Sequence, residues 1–178
     1  MSDFGSRIGK AIILDKDIYE EVEADRSALG QATGVVVLSS IAAGIGTYQE
    51  AGAAGLLLGL VSALVGWYIW AYLTYFIGAK LLPEAQTEAD HGQLLRTLGF
   101  ASAPGLFRVF GIVPFLGGVV ILVASIWMLM ATVIAVRQAL DYTSTFRAFG
   151  VCFIGWLIQI ILVGLVYYFL GDFAQMQS

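Results

Sequence analysis

Four uninterrupted apolar stretches limit what this chain can fold into more than any other feature. They lie at residues 28–48, 53–79, 115–136 and 149–170. A helix rises about 1.5 Å per residue, so about 20 apolar residues cross a hydrocarbon core of about 30 Å. Only 12% of the residues are charged, which is about half the share in a soluble domain. The sequence therefore predicts an all-α, polytopic transmembrane helix bundle.

A fifth apolar stretch, Gln93–Val113, is interrupted by charged residues and a proline. We predict that it forms a third, irregular span at 93–110. Pro104 lacks a backbone donor and breaks or kinks the helix. Arg96 and Arg108 are expected to extend to opposite headgroup layers, or to hold an anionic lipid between helices. A re-entrant segment is the alternative.

The basic residues favour five spans over four. Lys and Arg concentrate in short loops on the cytoplasmic side of a membrane. With five spans and a cytoplasmic N-terminus, eight of the nine basic residues lie inside and Arg108 alone lies outside. With four spans the division is seven to two. The five-span topology places the short tail, 171–178, on the side opposite the N-terminus.

Residues 1–27 predict a cytoplasmic segment before the first span. Phe4, Ile8 and Ala11 recur at helical spacing, with Arg7 between them. This pattern is typical of a short amphipathic helix in the interface plane, and a frayed tail is the alternative. The later part of the segment is acidic and the net charge of the chain is −4. Nucleic acid is therefore not an expected partner.

Small residues recur on one face of the second span and at the start of the first. Such residues at intervals of four let helix backbones approach closely in a membrane. We expect this face to pack within the bundle; a surface for self-association or for a larger complex is the alternative. Its members are Ala51, Gly55, Gly59 and Ala63, together with Gly30 and Gly34 in the first span.

Gln159 lies at the centre of the last span. An amide without a hydrogen bond in hydrocarbon costs several kcal/mol, so we expect partners among serines at similar depth, such as Ser39 and Ser40. These contacts would join helices, whereas a polar path for a solute is the alternative. The clear spans carry no Asp, Glu, Lys or Arg at mid-membrane. Ion-coupled carriers usually need such residues, so their absence favours helix-joining contacts.

The sequence predicts no catalytic, cofactor-binding or metal-binding residues. Asp90 and His91 are neighbouring acid and imidazole groups, but adjacent residues on a helix do not face one another. A nucleophile motif, a metal-ligand cluster and a glycine-rich phosphate loop are all missing from the sequence. We therefore expect a protein without enzymatic activity and without a cofactor.

The interrupted stretch resembles a known family. Leu94–Leu95–Arg96 leads into Gly99–Phe100–Ala101–Ser102–Ala103–Pro104, followed by a turn marked by glycine and proline and by a tryptophan-bearing fourth span. This pattern resembles the Yip-domain family, five-span membrane proteins named for their interaction with Ypt/Rab GTPases, and its bacterial members most of all. The resemblance implies a bacterial cytoplasmic membrane, a membrane domain over 28–170 and a role in membrane organisation. The Asp-Leu-Tyr-Gly-Pro signature of eukaryotic relatives is absent, so a GTPase partner does not follow from it.

We interpret the chain as a non-enzymatic scaffold, accessory subunit or membrane organiser that acts through helix–helix contacts. Its expected partners are membrane lipids and other membrane proteins, or further copies of itself. A small permease or channel-like component with a polar path near Gln159 is the alternative. The two interpretations differ in whether the polar residues of the spans surround a cavity or meet in closed contacts.

Overall fold

A computed structural model describes the backbone of residues 3–175 and, within that range, all side chains except those of residues 49–51, 163 and 165–175. The described residues form seven α-helices and no strand, which confirms the predicted all-α class. The helices are α1 (Phe4–Ile12), α2 (Lys16–Ala24), α3 (Leu29–Gly46), α4 (Tyr48–Tyr75), α5 (His91–Phe100), α6 (Gly117–Ala139) and α7 (Thr145–Gln175).

Four helical stretches of the described chain are long and apolar enough to cross a membrane. They are Arg26–Gly46, Gly52–Leu81, Gly117–Ala139 and Thr145–Leu162. The first includes a short 3-10 turn before α3, and the second continues from α4 into a π-helical turn, Phe76–Leu81. The predicted membrane bundle is thus present, with four spans identified by length and composition.

The chain reverses direction between α3 and α4. Gly52, inside the range of α4, is not helical and marks a kink there: it has φ 63° and ψ −168°. Glycine adopts this conformation far more readily than residues with a Cβ. A Cβ added to Gly44 would lie 2.9 Å from Leu56 Cγ, so the end of α3 lies directly against the start of α4. This reversal makes the two helices neighbours at one end of the bundle.

The interrupted stretch forms two short helices instead of one irregular helix. After α5 a turn at Ala101–Ser102 leads into a 3-10 helix, Ala103–Ile112. Pro104 lies in the first turn of this 3-10 helix, where its missing N–H removes no internal hydrogen bond. The predicted break is present, but it precedes the proline. Neither helix reaches across a bilayer alone, because they measure about 15 Å and about 20 Å.

Together, α5 and the 3-10 helix run beside α3 in the same direction. Three close contacts at increasing positions establish this: Gly99 with Ala32, Gly105 with Ser39, and the Arg108 carbonyl with Gly46. Against α6 the order is reversed, because Gly105 faces Met128 and Gly111 faces Ile121. The pair therefore covers the full length of α3 and lies antiparallel to α6.

Helices α1 and α2 dock where α3 begins. Arg7 of α1 is buried, and its guanidinium donates to Glu21 (3.1 Å), to Asp25 (2.8 Å) and to Gln31 at the start of α3 (2.8 Å). The predicted N-terminal helix is present, but Arg7 is buried on its apolar side. Gln138 near the end of α6 donates to Glu20 of α2, so the C-terminal end of α6 lies beside α2.

Two loops complete this end of the bundle. Thr143 N donates to a carboxylate oxygen of Glu84 (3.0 Å). The Tyr142 hydroxyl donates to the carbonyls of Gly78 (2.9 Å) and Leu82 (2.7 Å). We call this end, formed by α1, α2 and the loops 82–90 and 140–144, the clamp end. The opposite end, where Gly46 meets Gly111 and Gly111 meets Gly117, is the far end.

We predict that Gly46→Ala destabilises the protein, whereas Gly59→Ala does not. A Cβ at Gly46 would overlap the Arg108 carbonyl oxygen, which is backbone and cannot rotate away, but a Cβ at Gly59 would meet nothing within 4 Å. Overpacking of this kind costs about 1–3 kcal/mol, while alanine in an open helical position gains up to about 1 kcal/mol over glycine. Thermal unfolding in detergent compares the two variants. A Tm for Gly46→Ala equal to that of Gly59→Ala would contradict the close backbone contact.

Candidate intramembrane site

A cavity of about 740 Å³ lies between α3, α4, the 3-10 helix, α6 and α7. Its lining runs along α3 from Val36 to Thr47 and along α4 from Gly55 to Trp70. At about 1.5 Å per residue the part along α4 is about 22 Å long, which is more than half of the hydrocarbon core. The cavity therefore extends through much of the membrane depth of the bundle.

Two of the contacts made by α4 lie on either side of an open space. Near the far end Leu56 lies against Gly44. Nearer the clamp end the Trp67 indole donates to the Leu95 carbonyl (3.1 Å). Between these two points, Gly59 has nothing within 4 Å of an added Cβ. The cavity occupies this gap.

Polar side chains from α3, α4, α6, α7 and the α5–3-10 region line the cavity. They bring hydroxyl, amide and guanidinium groups together from distant parts of the sequence. These residues are Ser39, Ser40, Thr47, Ser62, Ser102, Arg108, Thr132 and Gln159. The cavity thus brings polar groups together within a lining that is otherwise mostly apolar.

The sequence predicted polar contacts between Gln159 and serines of other spans, but these residues line one cavity. Ser39, Ser40 and Gln159 all line it. Among the described residues, no hydrogen bond joins Gln159 to either serine. Polar groups that lack a partner in hydrocarbon are costly unless water or a ligand satisfies them. The arrangement therefore favours an occupied or hydrated cavity over closed helix-joining contacts.

The predicted small-residue face lines the same cavity. Gly55, Gly59 and Ala63 belong to the lining, and no helix of the described chain packs directly on Gly59. In α3, a Cβ added to Gly30 would meet nothing within 4 Å. A Cβ added to Gly34 would lie 3.6 Å from the Phe4 ring. The Ala51 side chain lies outside the described residues. The close helix contacts of the bundle depend instead on Gly46, Gly78, Gly99 and Gly105.

Arg108 reaches into the cavity from the far end. Its carbonyl lies against Gly46, the last residue of α3, while its Nη2 donates to the Ser125 hydroxyl (3.1 Å). Ser125 lies about 12 Å along α6 from the far end. The guanidinium therefore points from the far end towards the middle of α6.

The Arg108 guanidinium is incompletely partnered within the described part of the chain. Its Nε is buried and has no hydrogen-bond acceptor there. No described carboxylate forms an ion pair with it. Burying a charge without a counter-charge is costly in a low-dielectric environment. The site is therefore suited to an anionic group.

Arg96 has a different position from the one expected. Its side chain is buried and donates from Nε to the Val22 carbonyl (2.9 Å) and from Nη2 to the Glu23 carbonyl. These carbonyls belong to the last turn of α2, where backbone acceptors lack partners within the helix. Arg96 therefore fastens α2 to α5 at the clamp end and has protein partners in place of lipid headgroups.

An apolar groove of about 400 Å³ adjoins the cavity between α4, α6 and α7. Trp70 and Thr132 line both spaces, so the two are adjacent. The remaining lining is mainly aromatic and consists of Leu129, Phe149, Cys152, Phe153 and Trp156. Phe149 and Cys152 lie near the start of α7, which places the groove in the half of the bundle nearer the clamp end.

Several functional residues escaped the sequence analysis although their spacing held a signal. Thr47 lies one helical turn after Gly44, and Gly66 lies one turn after Ser62, so both extend the cavity lining along their helices. Arg7 lies four residues before Ala11 and so on the apolar face of α1. Thr132 could not be recognised, because its hydroxyl also donates to the Met128 carbonyl (2.8 Å), as hydroxyls in helices commonly do.

Among the described acids at the clamp end, Glu23 has the pKa that is shifted furthest from its usual value. The pKa of Glu23 is raised to about 7. Partial burial is the largest cause and the nearby charge of Asp141 is the second, whereas Arg96 opposes the shift. Gln93 donates to its carboxylate (3.0 Å). By contrast, hydrogen bonds from Ser27 and Arg7 lower the pKa of Asp25 to about 2. Glu23 is therefore the described acid whose charge changes near neutral pH.

These features define a polytopic helical membrane protein with a polar cavity between its long helices. A model of the Yip1 domain matches residues 15–173, which is nearly the whole chain. The chain therefore belongs to the Yip1-domain family, and the resemblance seen around Arg96 and Pro104 is confirmed. No curated protein and no solved structure matches the chain significantly.

We predict that the clamp end becomes less stable as the pH rises through the pKa of Glu23. Because the folded protein binds this proton more tightly than the unfolded chain, the stability it contributes is present at low pH and is lost as the pH rises to about 7 and above. In thermal unfolding from about pH 5 to about pH 8, the Tm of the wild type should fall relative to Glu23→Gln. Glu88→Gln, on an exposed loop, is the control. A constant Tm difference between wild type and Glu23→Gln across this range would contradict the assignment.

Proposed function

We propose that this Yip1-domain protein is a non-enzymatic membrane organiser that holds another membrane component in its cavity. The observation that carries the proposal is a polar, small-residue lining whose serines and Gln159 have no side-chain partners across the cavity within the described residues. A cavity of this kind between long apolar helices favours binding of a molecule that is itself in the membrane.

Five crossings of a bacterial cytoplasmic membrane are part of the proposal. The combined length of α5 and the 3-10 helix is about 35 Å, enough for one crossing, and their contacts follow α3 from Ala32 to Gly46. Irregular backbone is tolerated at membrane depth where protein covers it. With the clamp end cytoplasmic, Arg96 lies inside and the Arg108 backbone lies at the far end, which agrees with the charge rule.

In this arrangement α1 starts at the clamp end and its last residues lie beside the middle of α6. Its C-terminal residues Ile12 and Ile13 border a shallow apolar groove together with Val123 and Met130 of α6. Ile13 is 72% exposed, and an exposed isoleucine beside lipid-facing residues favours contact with acyl chains. The helix thus contributes an amphipathic anchor beside the buried Arg7 clamp.

The absence of turnover is also proposed. Within the described residues no group of three His, Cys, Asp or Glu is placed to hold a metal. His91 packs edge-on against Tyr68 (4.9 Å between ring centroids) and Tyr72 (5.8 Å), an aromatic contact without an adjacent nucleophile. These surroundings favour a packing role for the imidazole.

A small permease is the second candidate, and the cavity is the observation that favours it. The polar lining includes Gln159 and follows α4 over about 22 Å. Proton- or ion-coupled transport usually requires an ionisable residue in the path, and Arg108 is the only such residue in the described lining. The organiser is favoured because this cation is suited to retaining an anion.

The first test concerns topology. We expect cysteines introduced at Ser2 and at Ser178, in a Cys152→Ser background, to be labelled from opposite sides of the membrane. Neither position belongs to the described lining of the cavity. An impermeant maleimide applied to intact cells and to inverted vesicles distinguishes the sides. Labelling of both positions from one side would exclude an odd number of crossings.

The second test concerns the cavity. Gly59→Leu should fill it without a steric clash, because nothing lies within 4 Å of an added Cβ, and Gly30→Leu is a matched control at another open glycine. Native mass spectrometry after mild detergent extraction should show a bound membrane component in wild type and Gly30→Leu but not in Gly59→Leu. Equal retention by all three would contradict the proposal. Solute flux in liposomes that is lost in Gln159→Leu would establish the permease instead.

A further inference from the structure

We propose that the cavity binds the phosphate group of an anionic phospholipid through Arg108, and that one acyl chain of this lipid lies in the adjoining aromatic groove. This inference rests on the proposed function, because it names the component that the cavity holds. It combines three features of the described chain: an incompletely paired cation, hydroxyl donors in the lining of the same cavity, and an apolar groove beside that cavity.

The cation selects the charge of the ligand. Arg108 Nη2 donates to Ser125, whereas its Nε is buried without an acceptor and no described carboxylate is paired with the guanidinium. A serine hydroxyl is a neutral partner and leaves the positive charge uncompensated. Arginine binds phosphate with a planar set of donors, and such charge-assisted bonds are about twice as strong as neutral ones.

The hydroxyl groups complete a site for phosphate oxygens. Ser39, Ser40 and Ser62 line the cavity, and no described side chain accepts a hydrogen bond from them. Each hydroxyl can donate one hydrogen bond. A phosphodiester has two charged oxygens that accept several hydrogen bonds, so it satisfies groups on α3 and α4 together with Arg108. A zwitterionic headgroup would bring a second positive charge close to Arg108.

The adjoining groove identifies the ligand as a lipid. Trp70 and Thr132 line both the polar cavity and an apolar space of about 400 Å³ bordered by Phe153 and Trp156. A soluble phosphate ester has no group for this space, whereas an acyl chain has the apolar surface that its lining matches. The groove thus favours a phospholipid over a free phosphate compound.

Thermal shift with defined lipids tests the inference. Delipidated wild-type protein and Arg108→Gln are mixed with micelles containing phosphatidylglycerol or phosphatidylcholine. Phosphatidylglycerol should raise the Tm of the wild type, since a ligand that binds only the folded state stabilises it, and should bind Arg108→Gln about tenfold to a hundredfold more weakly. Arg26→Gln, which removes an exposed arginine at the first residue of the first span and outside the cavity lining, should behave as the wild type. Phosphatidylcholine should bind both proteins equally weakly.

Two further variants keep the result interpretable. Ser125→Ala removes the hydroxyl that orients Arg108 and should weaken phosphatidylglycerol binding even if Arg108→Gln folds poorly. Glu50 is an acid whose side chain lies outside the described ones, and Glu50→Gln tests whether it provides the counter-charge of Arg108. The inference requires that this variant binds phosphatidylglycerol as the wild type does. A Tm response that is the same for Arg108→Gln and wild type, or equal for the two lipids, would overturn the inference.

The outcomes separate this inference from the proposed function. A component that is lost in Gly59→Leu but retained in Arg108→Gln would leave the cavity as a binding site and exclude a phosphate held by Arg108. Retention of a protein and not of a lipid would have the same meaning. Displacement by soluble glycerol phosphate at low concentration would show that the acyl chain contributes nothing, and would overturn the lipid assignment.

Discussion

Protein covers the break between α5 and the 3-10 helix, and the rest of the structure depends on this. Lipid offers no hydrogen bonds to the backbone groups that a turn and a 3-10 helix leave unpaired. Here Ala103, Pro104 and Gly105 are buried between α3 and α6. A side chain at Gly105 would overlap Ser39 and crowd Met128. Glycine therefore allows the two long helices to cover the irregular backbone.

The cavity is a consequence of this arrangement. Since the broken segment occupies the space beside α3 and α6, α4 contacts its neighbours mainly near Leu56 and near Trp67. Its small face between these points remains open, and the Arg108 side chain, which the 3-10 helix directs inwards, lies at the same opening. One irregular segment thus produces both the space and the charge within it.

The sequence predicted the features that depend on composition and on short-range pattern. The bilayer-length apolar stretches identified the long helices. The family could be recognised because its motif is local, around Arg96 and Pro104. Each of these signals is contained within one helix or one turn.

The direction of individual side chains could not be predicted, because it depends on which helices become neighbours. A stripe such as Gly55 and Gly59 looks the same whether a helix or a cavity faces it. The two arginines of the third segment looked equivalent in sequence, yet Arg96 contacts the carbonyls of α2 and Arg108 contacts Ser125. The helix break between them rotates one relative to the other, and its geometry is not encoded in spacing.

A cryo-EM structure in nanodiscs that contain phosphatidylglycerol tests the central claim most directly. The account predicts an open space beside Gly59, headgroup density within hydrogen-bond distance of Arg108, and chain density between Trp70 and Trp156. The account would be contradicted by a bundle in which α4 closes on α3 and α7 along this face and Arg108 is paired with a carboxylate of the chain itself.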